Sequence, residues 1–443
     1  MMMDDALSHM VEKLVKNGKA DKTLVVAQAE ENLLTRFAVN RIHQHVRQET
    51  LNVTVVVEKD KKVGIAGTSS LKPEEADALL DKALQNAELS SGESTLELAE
   101  TGEQQFDMKS RFVEDLIEAH DERARIVANM IERGAKAQAD AFGVLNATRE
   151  RVIIRNSAGT HLQWEGSVGL VKAMYMKGQG SGYQIGQFNN PGNFIWEQLA
   201  EKALQKCLDS QHPEPLEPGK YTVILEPLAV GTLLGEMASF SFNARAAYQG
   251  HSYIWQHRGE QLFPKFMTIY DWGLDDLTAL RLPMDFEGYL KKPVQFIEGG
   301  EAKDVVFDSR FAKILNHPNT GHALPPEAMS YSPIPLNVIM LPGQKSMDQL
   351  IAETEHGIIV TMLNYVRSYL DPLTVLATGI TRNGTFLIED GKVTKALNNT
   401  RFLQSFVEAL QNTTDIGSEL MMVGEEFGSF TAPALKIEKF NFM

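Results

Sequence analysis

The stretch "KTLVVAQAEENLLTRFAVNRIHQHVRQETLNVTVVVEKDKKVGIAG", Lys22 to Gly67, decides the fold class. It divides into five short runs, 22–30, 32–40, 41–49, 51–59 and 62–67, which are rich in β-branched residues. Polar breaks such as Asn40-Arg41 and the "KDKK" that begins at Lys59 separate them. Such runs and breaks are typical of strands joined by tight turns. The stretch therefore predicts an antiparallel meander.

One helix is predicted before this meander in the chain, and another is predicted after it. Apolar residues recur at helical spacing over residues 5–17, and again over residues 69–89, where Pro73 and two glutamates fall in the first turn. The two stripes are Leu7, Met10, Val11, Leu14 and Val15, and Ala76, Leu79, Leu80, Ala83 and Leu84. We expect the second helix to cover the sheet.

Further along the chain, a helix is predicted near residues 110–134 and another near 193–210. Between them, residues 141–177 read as more strands, and "NSAGT" at Asn156 to Thr160 supplies the Asn and Gly that a hairpin turn needs. The mixture of helices and antiparallel strands predicts an α+β fold.

A proline cluster marks the main domain boundary. Pro213, Pro215 and Pro218 cannot continue a helix or join a central strand. We expect an N-terminal α+β domain over 1–105, a central α+β region over 106–217 and a β-rich C-terminal domain over 218–443. In the last, residues 315–337 form a proline-rich segment that either lines a site or is a flexible linker.

Composition narrows the function classes. The chain has 443 residues and a formal net charge of −15, which repels a nucleic-acid backbone unless a local basic patch exists. Arg41, His43, His45 and Arg47 alternate along one predicted strand, and an ordinary solvated sheet face accounts for them. The single cysteine, Cys207, sits in a helical pattern and is expected to pack as a small apolar residue. With no charged-then-apolar leader and no apolar run of about 18 residues, a cytoplasmic, non-membrane protein is expected.

Six short motifs occur in an order that resembles the TldD/PmbA family, the so-called modulators of DNA gyrase. They are "TRFAVNRIHQH" (35–45), "IIRNSAGT" (153–160), "DFEG" (285–288), "NTGHA" (319–323), "HGIIVT" (356–361) and "GTFLIEDGKV" (384–393). The resemblance implies dimers, a β-rich C-terminal part, and cytoplasmic proteolysis of peptides or small proteins.

The family resemblance also implies which positions to inspect. TldD-like members are similar to a metalloprotease with a His-Glu-x-x-x-His helix and a later cysteine, whereas PmbA-like (TldE) members lack the metal ligands. Here Gly235 and Phe240 stand where the histidines would be, Glu236 keeps the glutamate, and Val423 aligns at or near the cysteine. Glycine, phenylalanine and valine side chains offer zinc no donor atom. We expect no metal site in this chain, and zinc only in a TldD-like partner.

The remaining candidates carry weaker signals. Asp285, Glu287 and His322 belong to the "DFEG" and "NTGHA" motifs and are candidates for binding in a cleft. His43 and His45 are two ligands at most, which is too few to predict a metal. No G-x-S-x-G nucleophile elbow is present, and "GQGSG" at Gly178 to Gly182 is interpreted as a hairpin tip.

The sequence therefore favours a PmbA/TldE-like subunit that works with a TldD-like partner as a heterodimer, or pairs with itself, and holds part of a peptide substrate. No membrane and no direct nucleic-acid partner is expected. The alternatives are a homodimeric peptide-binding or scaffold protein with no protease role, and a hydrolase whose catalytic residues are unrecognised.

Overall fold

The structure is a computed structural model that describes residues 2–72, 74–91, 95–424 and 428–443. Pro73, predicted to open the second helix, lies outside the described residues. The N-terminal half contains strands and helices in the following order: α1 Met2–Val15, β1 Lys22–Ala38, β2 Arg41–Lys59, β3 Lys62–Thr68, α2 Glu75–Leu89, β4 Glu103–Met108, α3 Arg111–Glu118, α4 His120–Lys136, β5 Asp140–Asn156, β6 His161–Lys177, β7 Gly180–Phe188 and α5 Trp196–Asp209.

The C-terminal half is richer in strands. Its elements are β8 Gly219–Leu225, α6 Pro227–Phe240, α7 Ala244–Tyr248, α8 Tyr253–Gln256, β9 Ile269–Asp271, β10 Val294–Glu298, β11 Glu301–Ala302, α9 Ser309–Ile314, a 3₁₀ turn Pro326–Tyr331, β12 Asn337–Met340, α10 Met347–Ala352, β13 His356–Asp371, β14 Leu376–Glu389, β15 Lys392–Ala396, β16 Arg401–Ser405, α11 Phe406–Gln411, β17 Thr413–Ile416, β18 Met421–Val423, β19 Ser429–Ala432 and β20 Leu435–Phe442.

The strands of the described residues form three sheets. The N-terminal sheet has the order β3-β2-β1-β5-β6-β4, with β7 paired to β6. The C-terminal half holds a sheet of order β11-β10-β9-β12-β19-β18 and another of order β13-β8-β20-β16-β14-β15, with β17 paired to β20. Helices and largely antiparallel sheets together confirm the predicted α+β class.

The meander forms, but with fewer strands than predicted. Residues 22–38 make one strand and residues 41–59 another, so the breaks placed at Glu31 and Thr50 were wrong. The turn at Asn40 and the turn at Asp60 and Lys61 are correct, and all three residues have positive φ. Glu31 does not end a strand because ion pairs with Arg47 and Arg149 on the two neighbouring strands accommodate its charge.

The helix predicted near residues 110–134 is two helices, broken at Ala119. The side chain of Arg123 is buried, and its guanidinium donates to the carbonyls of Leu116 and Ile117 at the end of α3. Those carbonyls therefore bond to a side chain instead of continuing the helix. Local periodicity did not reveal this break.

The two faces of the N-terminal sheet have different partners. Helices α1 to α5 cover one face, and Cys207 of α5 is buried there as predicted. The other face packs part of its length on the C-terminal half, where Trp164 lies among Leu282, Met284 and Phe286. The Trp164 indole also donates to the Arg281 carbonyl, 2.9 Å away. In the described residues, no helix combines the length and apolar character needed to cross a membrane.

Candidate functional site

Helix α6 carries the degenerate motif and starts directly after the core strand β8. Pro227 occupies the first turn, where its missing N–H has no intrahelical partner to lose. Most of the helix faces the core, and its buried residues are Leu228, Ala229, Val230, Gly231, Leu233, Leu234, Met237 and Ala238. The motif therefore stands on a helix that is packed into the main C-terminal core.

One turn of α6 meets the C-terminal strands β18 and β19 through glycines. A Cβ added at Gly231 would lie 2.3 Å from Cγ2 of Val423, so Val423 fills the space that the glycine leaves. A Cβ at Gly235 would meet the Phe430 ring at 3.6 Å, an ordinary contact distance. The structure thus places Val423 within one helical turn of Gly235.

Phe240 and Glu236 lie in the C-terminal half of the same helix, and both are half-buried. The Phe240 ring packs edge-on against Tyr369, with ring centroids 5.3 Å apart, and also contacts the main C-terminal core. Burial raises the pKa of the Glu236 carboxyl, while the Ser368 hydroxyl and the Arg367 charge act in the opposite direction.

The donor chemistry of this region does not fit zinc. Gly235, Phe240 and Val423 present no nitrogen, oxygen or sulfur from their side chains, and Glu236 alone is one ligand where three or four are needed. Within the ranges that the structure describes, no group of three His, Cys, Asp or Glu side chains could hold a metal ion.

A buried polar network fixes the loops that carry two of the family motifs. His322 Nε2 lies 2.9 Å from Asp271 Oδ1, and its Nδ1 lies 2.9 Å from the Thr320 hydroxyl. Lys291 Nζ reaches Asn337 Oδ1 at 2.9 Å and Asp271 at 3.5 Å. Burial opposes ionisation of Asp271, but Lys291 and His322 lower its pKa well below the usual range. Burial and the charge of Lys291 lower the pKa of His322, which favours its neutral form.

Asp285 and Glu287 belong to a second buried cluster with Asp308. Asp285 accepts from the backbone N–H groups of Glu287, Tyr289 and Ala323, at 2.9–3.1 Å. Glu287 accepts from Ser309 N–H, and Asp308 caps α9 and accepts from the Ser332 hydroxyl. Burial raises the pKa of Asp285 and of Glu287, and the neighbouring carboxyls raise it further.

The predicted site residues thus fall into separate places. His322 and Asp285 come together, since the residue after His322 donates to Asp285. Their side chains, like that of Glu287, are buried in contacts that hold loops, and their role in binding stays a prediction. Glu236 lies apart from them on α6.

The row Arg41, His43, His45 and Arg47 lies on β2, as predicted, and is exposed. His45 Nδ1 lies 2.9 Å from the Thr35 hydroxyl on the paired strand. Beyond Val53, β2 is flanked by β3, but residues 41–52 pair only with β1 among the described strands. This length of β2 is therefore an open sheet edge.

Sequence reasoning missed Asp271, Lys291 and Asn337, and also a pair of glutamates on the N-terminal sheet. Glu30 on β1 and Glu150 on β5 are direct cross-strand partners on the face turned toward the C-terminal half. The sequence alone could have placed Glu30 on this face, because Leu24, Val26, Gln28 and Glu30 alternate on one face of a strand. No local pattern reveals that Glu150 lies opposite it.

A family model described as the PmbA/TldA metallopeptidase C-terminal domain matches residues 218–443. The chain belongs to the PmbA/TldD family. This confirms the resemblance carried by the six motifs.

Curated relatives agree with the family, and a solved structure shares the fold. The chain is 25% identical over 215 residues to the metalloprotease TldD homolog of Buchnera aphidicola subsp. Schizaphis graminum, covering 48% of this chain and 43% of that protein. It is 26% identical over 256 residues to the Haemophilus influenzae TldD homolog, covering 54% and 52%. The chain thus spans about half the length of the curated relatives it matches. TldE from Thermococcus kodakarensis shares the fold, with a TM-score of 0.85, 21% identity and 99% of each chain covered.

Proposed function

We propose that this chain is the PmbA/TldE-like subunit of a TldD/TldE-type metalloprotease system that processes peptides or small proteins in the cytoplasm. The observation that carries the proposal is the α6 region, where Gly235, Phe240 and Val423 leave Glu236 as the single donor. A glutamate without a metal-activated water has no proton to remove in hydrolysis. The partner therefore supplies zinc and the hydrolytic step.

In this proposal the chain contributes half of a dimer and part of the cleft that holds the peptide. The N-terminal sheet and the loops held by the contact between Asp271 and His322 form the frame of this cleft. An extended peptide that adds to a sheet edge needs only backbone donors and acceptors. We also propose the division into parts 1–105, 106–217 and 218–443.

A homodimeric peptide-binding or scaffold protein is the second candidate. The open β2 edge over residues 41–52 favours it, because an unpaired edge is a ready surface for association. The two candidates differ in whether a metalloprotease partner gains activity from this chain.

Reconstitution separates them. The purified chain, a TldD-like protein from the same genome, and a mixture of the two are assayed for hydrolysis of an unstructured peptide, and each sample is analysed for zinc. We expect zinc in the partner, substoichiometric zinc in this chain, and chelator-sensitive hydrolysis that is at least tenfold faster in the mixture than in either protein alone. One tightly bound zinc per chain, or chelator-sensitive activity of this chain alone, contradicts the proposal. A mixture no faster than the partner alone favours the scaffold protein.

A further inference from the structure

Two glutamates face each other on the covered side of the N-terminal sheet. Glu30 and Glu150 are register partners on antiparallel strands, so their side chains project from the same face, one beside the other. Like charges in this position destabilise a sheet. Burial and the charge of Glu30 both act against ionisation of the Glu150 carboxyl. Arg151 is the one cation among the described residues that line a cavity with both glutamates.

Two adjoining cavities share Glu150 as a wall. The first, about 250 Å³, is lined by apolar side chains, among them Trp164, Leu282 and Phe286. Its polar members besides Glu150 are Gln187, Asn337 and Ser429. Oε1 of Gln187 is buried and has no hydrogen-bond partner. A cavity of about 150 Å³ with apolar walls accommodates benzene. The first cavity therefore has room for a leucyl or phenyl group.

The second cavity, about 240 Å³, is polar and acidic. Glu30, Glu150 and Glu327 line it together with Gln28, Thr50 and Asn52. Arg151 also lines it, and its Nε lies 3.6 Å from Glu165 Oε1 on β6. Asn52 donates to Glu327 Oε1 at 3.1 Å, which leaves the other oxygen of Glu327 available. Three carboxyls and one arginine give this cavity a net negative charge.

Glu150 therefore stands where an apolar space meets an acidic one. Burial raises the pKa of its carboxyl to about 7, and the nearby Glu30 adds to the rise. A cation bound beside both glutamates would stabilise their ionised forms, since a nearby opposite charge favours ionisation of a carboxyl. A neutral ligand would not.

We infer that the paired cavities bind a primary ammonium group attached to a small apolar body, with the ammonium between Glu30 and Glu150 and the apolar body against Trp164. The acidic side chains of the second cavity favour a positively charged ammonium, and the apolar walls of the first cavity favour an apolar group attached to it. A free aliphatic amine and the N-terminal residue of a peptide share this chemistry. The second source rests on the proposed function, because a peptide-holding cleft would present such an N-terminus.

Calorimetric titration of the isolated full chain at pH 7.5 tests the inference with matched probes. 3-Methylbutylamine carries the ammonium, and 3-methylbutan-1-ol has the same apolar body without the charge. We expect the amine to bind at least tenfold more tightly than the alcohol. Glu150→Gln should weaken amine binding at least tenfold, whereas Glu49→Gln, an exposed glutamate of the same sheet, should leave it unchanged.

Two further arms complete the test. Val168→Phe fills the apolar cavity and should abolish binding of the amine while both glutamates are kept. The tripeptide Leu-Gly-Gly, compared with its N-acetylated form, identifies the source: tighter binding of the free tripeptide supports a peptide N-terminus, and binding of the amine alone supports a small free amine. Equal affinity for amine and alcohol, or amine binding that survives Val168→Phe, overturns the inference. Because no partner is present, failed reconstitution contradicts only the proposed function, and absent amine binding contradicts only this inference.

Discussion

At the scale of single residues, the chain keeps several carboxyls where burial opposes their ionisation. Glu150 shows the consequence most directly, because the pKa of its carboxyl is about 7 in the folded state, against an ordinary value of 4.5 for a glutamate in an unfolded chain. Below pH 4.5 both states are protonated, and the group does not affect stability. Above pH 7 both states are ionised, and the folded state bears the full penalty, at most about 3 kcal/mol.

Glu150→Gln removes this penalty. We expect the variant to exceed the parent in free energy of unfolding by about 1–3 kcal/mol at pH 8 and by much less at pH 5, since the parent loses stability as pH rises through 4.5 to 7. Urea unfolding at both pH values measures the difference. Glu49→Gln is the control, and its free energy of unfolding should differ little from that of the parent at either pH. A Glu150→Gln gain of equal size at pH 5 and pH 8 would show that its carboxyl does not titrate in this interval.

Glu236 is the other residue whose role is open to a direct test. In the reconstituted complex we expect the rate of peptide hydrolysis with Glu236→Gln to stay within about twofold of the parent rate. The shape of the side chain is kept, and Gly235, Phe240 and Val423 offer no side-chain donor that could hold a metal to activate a water. Initial rates of the complex with each variant provide the measurement. A hundredfold fall in turnover, as expected for loss of a general base, would place Glu236 in the chemistry.

At the scale of elements, α6 offers a matched pair of glycines. A Cβ at Gly231 would clash with Val423, whereas one at Gly235 would make an ordinary contact with Phe430. We expect Gly231→Ala to destabilise the protein by about 1–3 kcal/mol through overpacking, and Gly235→Ala to be neutral or stabilising by up to about 1 kcal/mol through helix propensity. Urea unfolding of the two variants measures both effects.

The double variant Gly231→Ala with Val423→Ala checks the cause of the Gly231 effect. Removing the two methyl groups of Val423 should recover part of the loss, which gives a favourable coupling energy between the two sites. Additive losses from the two changes would mean that Val423 does not pack on Gly231.

Some helices, strands and turns could be predicted from the sequence alone. The positive-φ turns at Asn40 and Asp60, the hairpin at Asn156 and the apolar stripe of α2 follow from local residue chemistry, and all were predicted. The length of β1 was not predicted correctly, because Glu31 is held by arginines on two other strands. Likewise Arg123 ends α3 from within α4, so the break depends on a contact that no local pattern contains.

Some residues of the candidate site could likewise be predicted from the sequence, and others could not. Gly235, Glu236, Phe240 and Val423 could be found because a motif marks them. Asp271, Lys291 and Asn337 are 20 to 66 residues apart in the chain and carry no motif, so only folding brings them together. The pairing of Glu30 with Glu150 depends on strand register, which is set by two strands at once.

At the scale of the whole molecule, surfaces that a single chain leaves uncovered indicate association. Among the described strands, residues 41–52 of β2 pair on one side only. Three large side chains on β13 are strongly exposed: Tyr365 75%, Tyr369 74% and Leu370 62%. Monomeric proteins usually protect long strand edges or leave them short. A closed two-fold or pseudo-two-fold interface would cover such surfaces.

We therefore expect the chain alone to form a homodimer at micromolar concentration, and to exchange into a heterodimer when a TldD-like partner is added. Exchange goes toward completion only if the mixed interface is preferred, and each tenfold preference corresponds to about 1.4 kcal/mol. Light scattering gives the mass of the isolated chain, and pull-down with a tagged partner after mixing measures the exchange. Because subunits that merely stick to the resin would also be recovered, an unrelated tagged protein serves as the control. A chain that stays monomeric and ignores the partner would contradict both the assembly and the accessory-subunit function that depends on it.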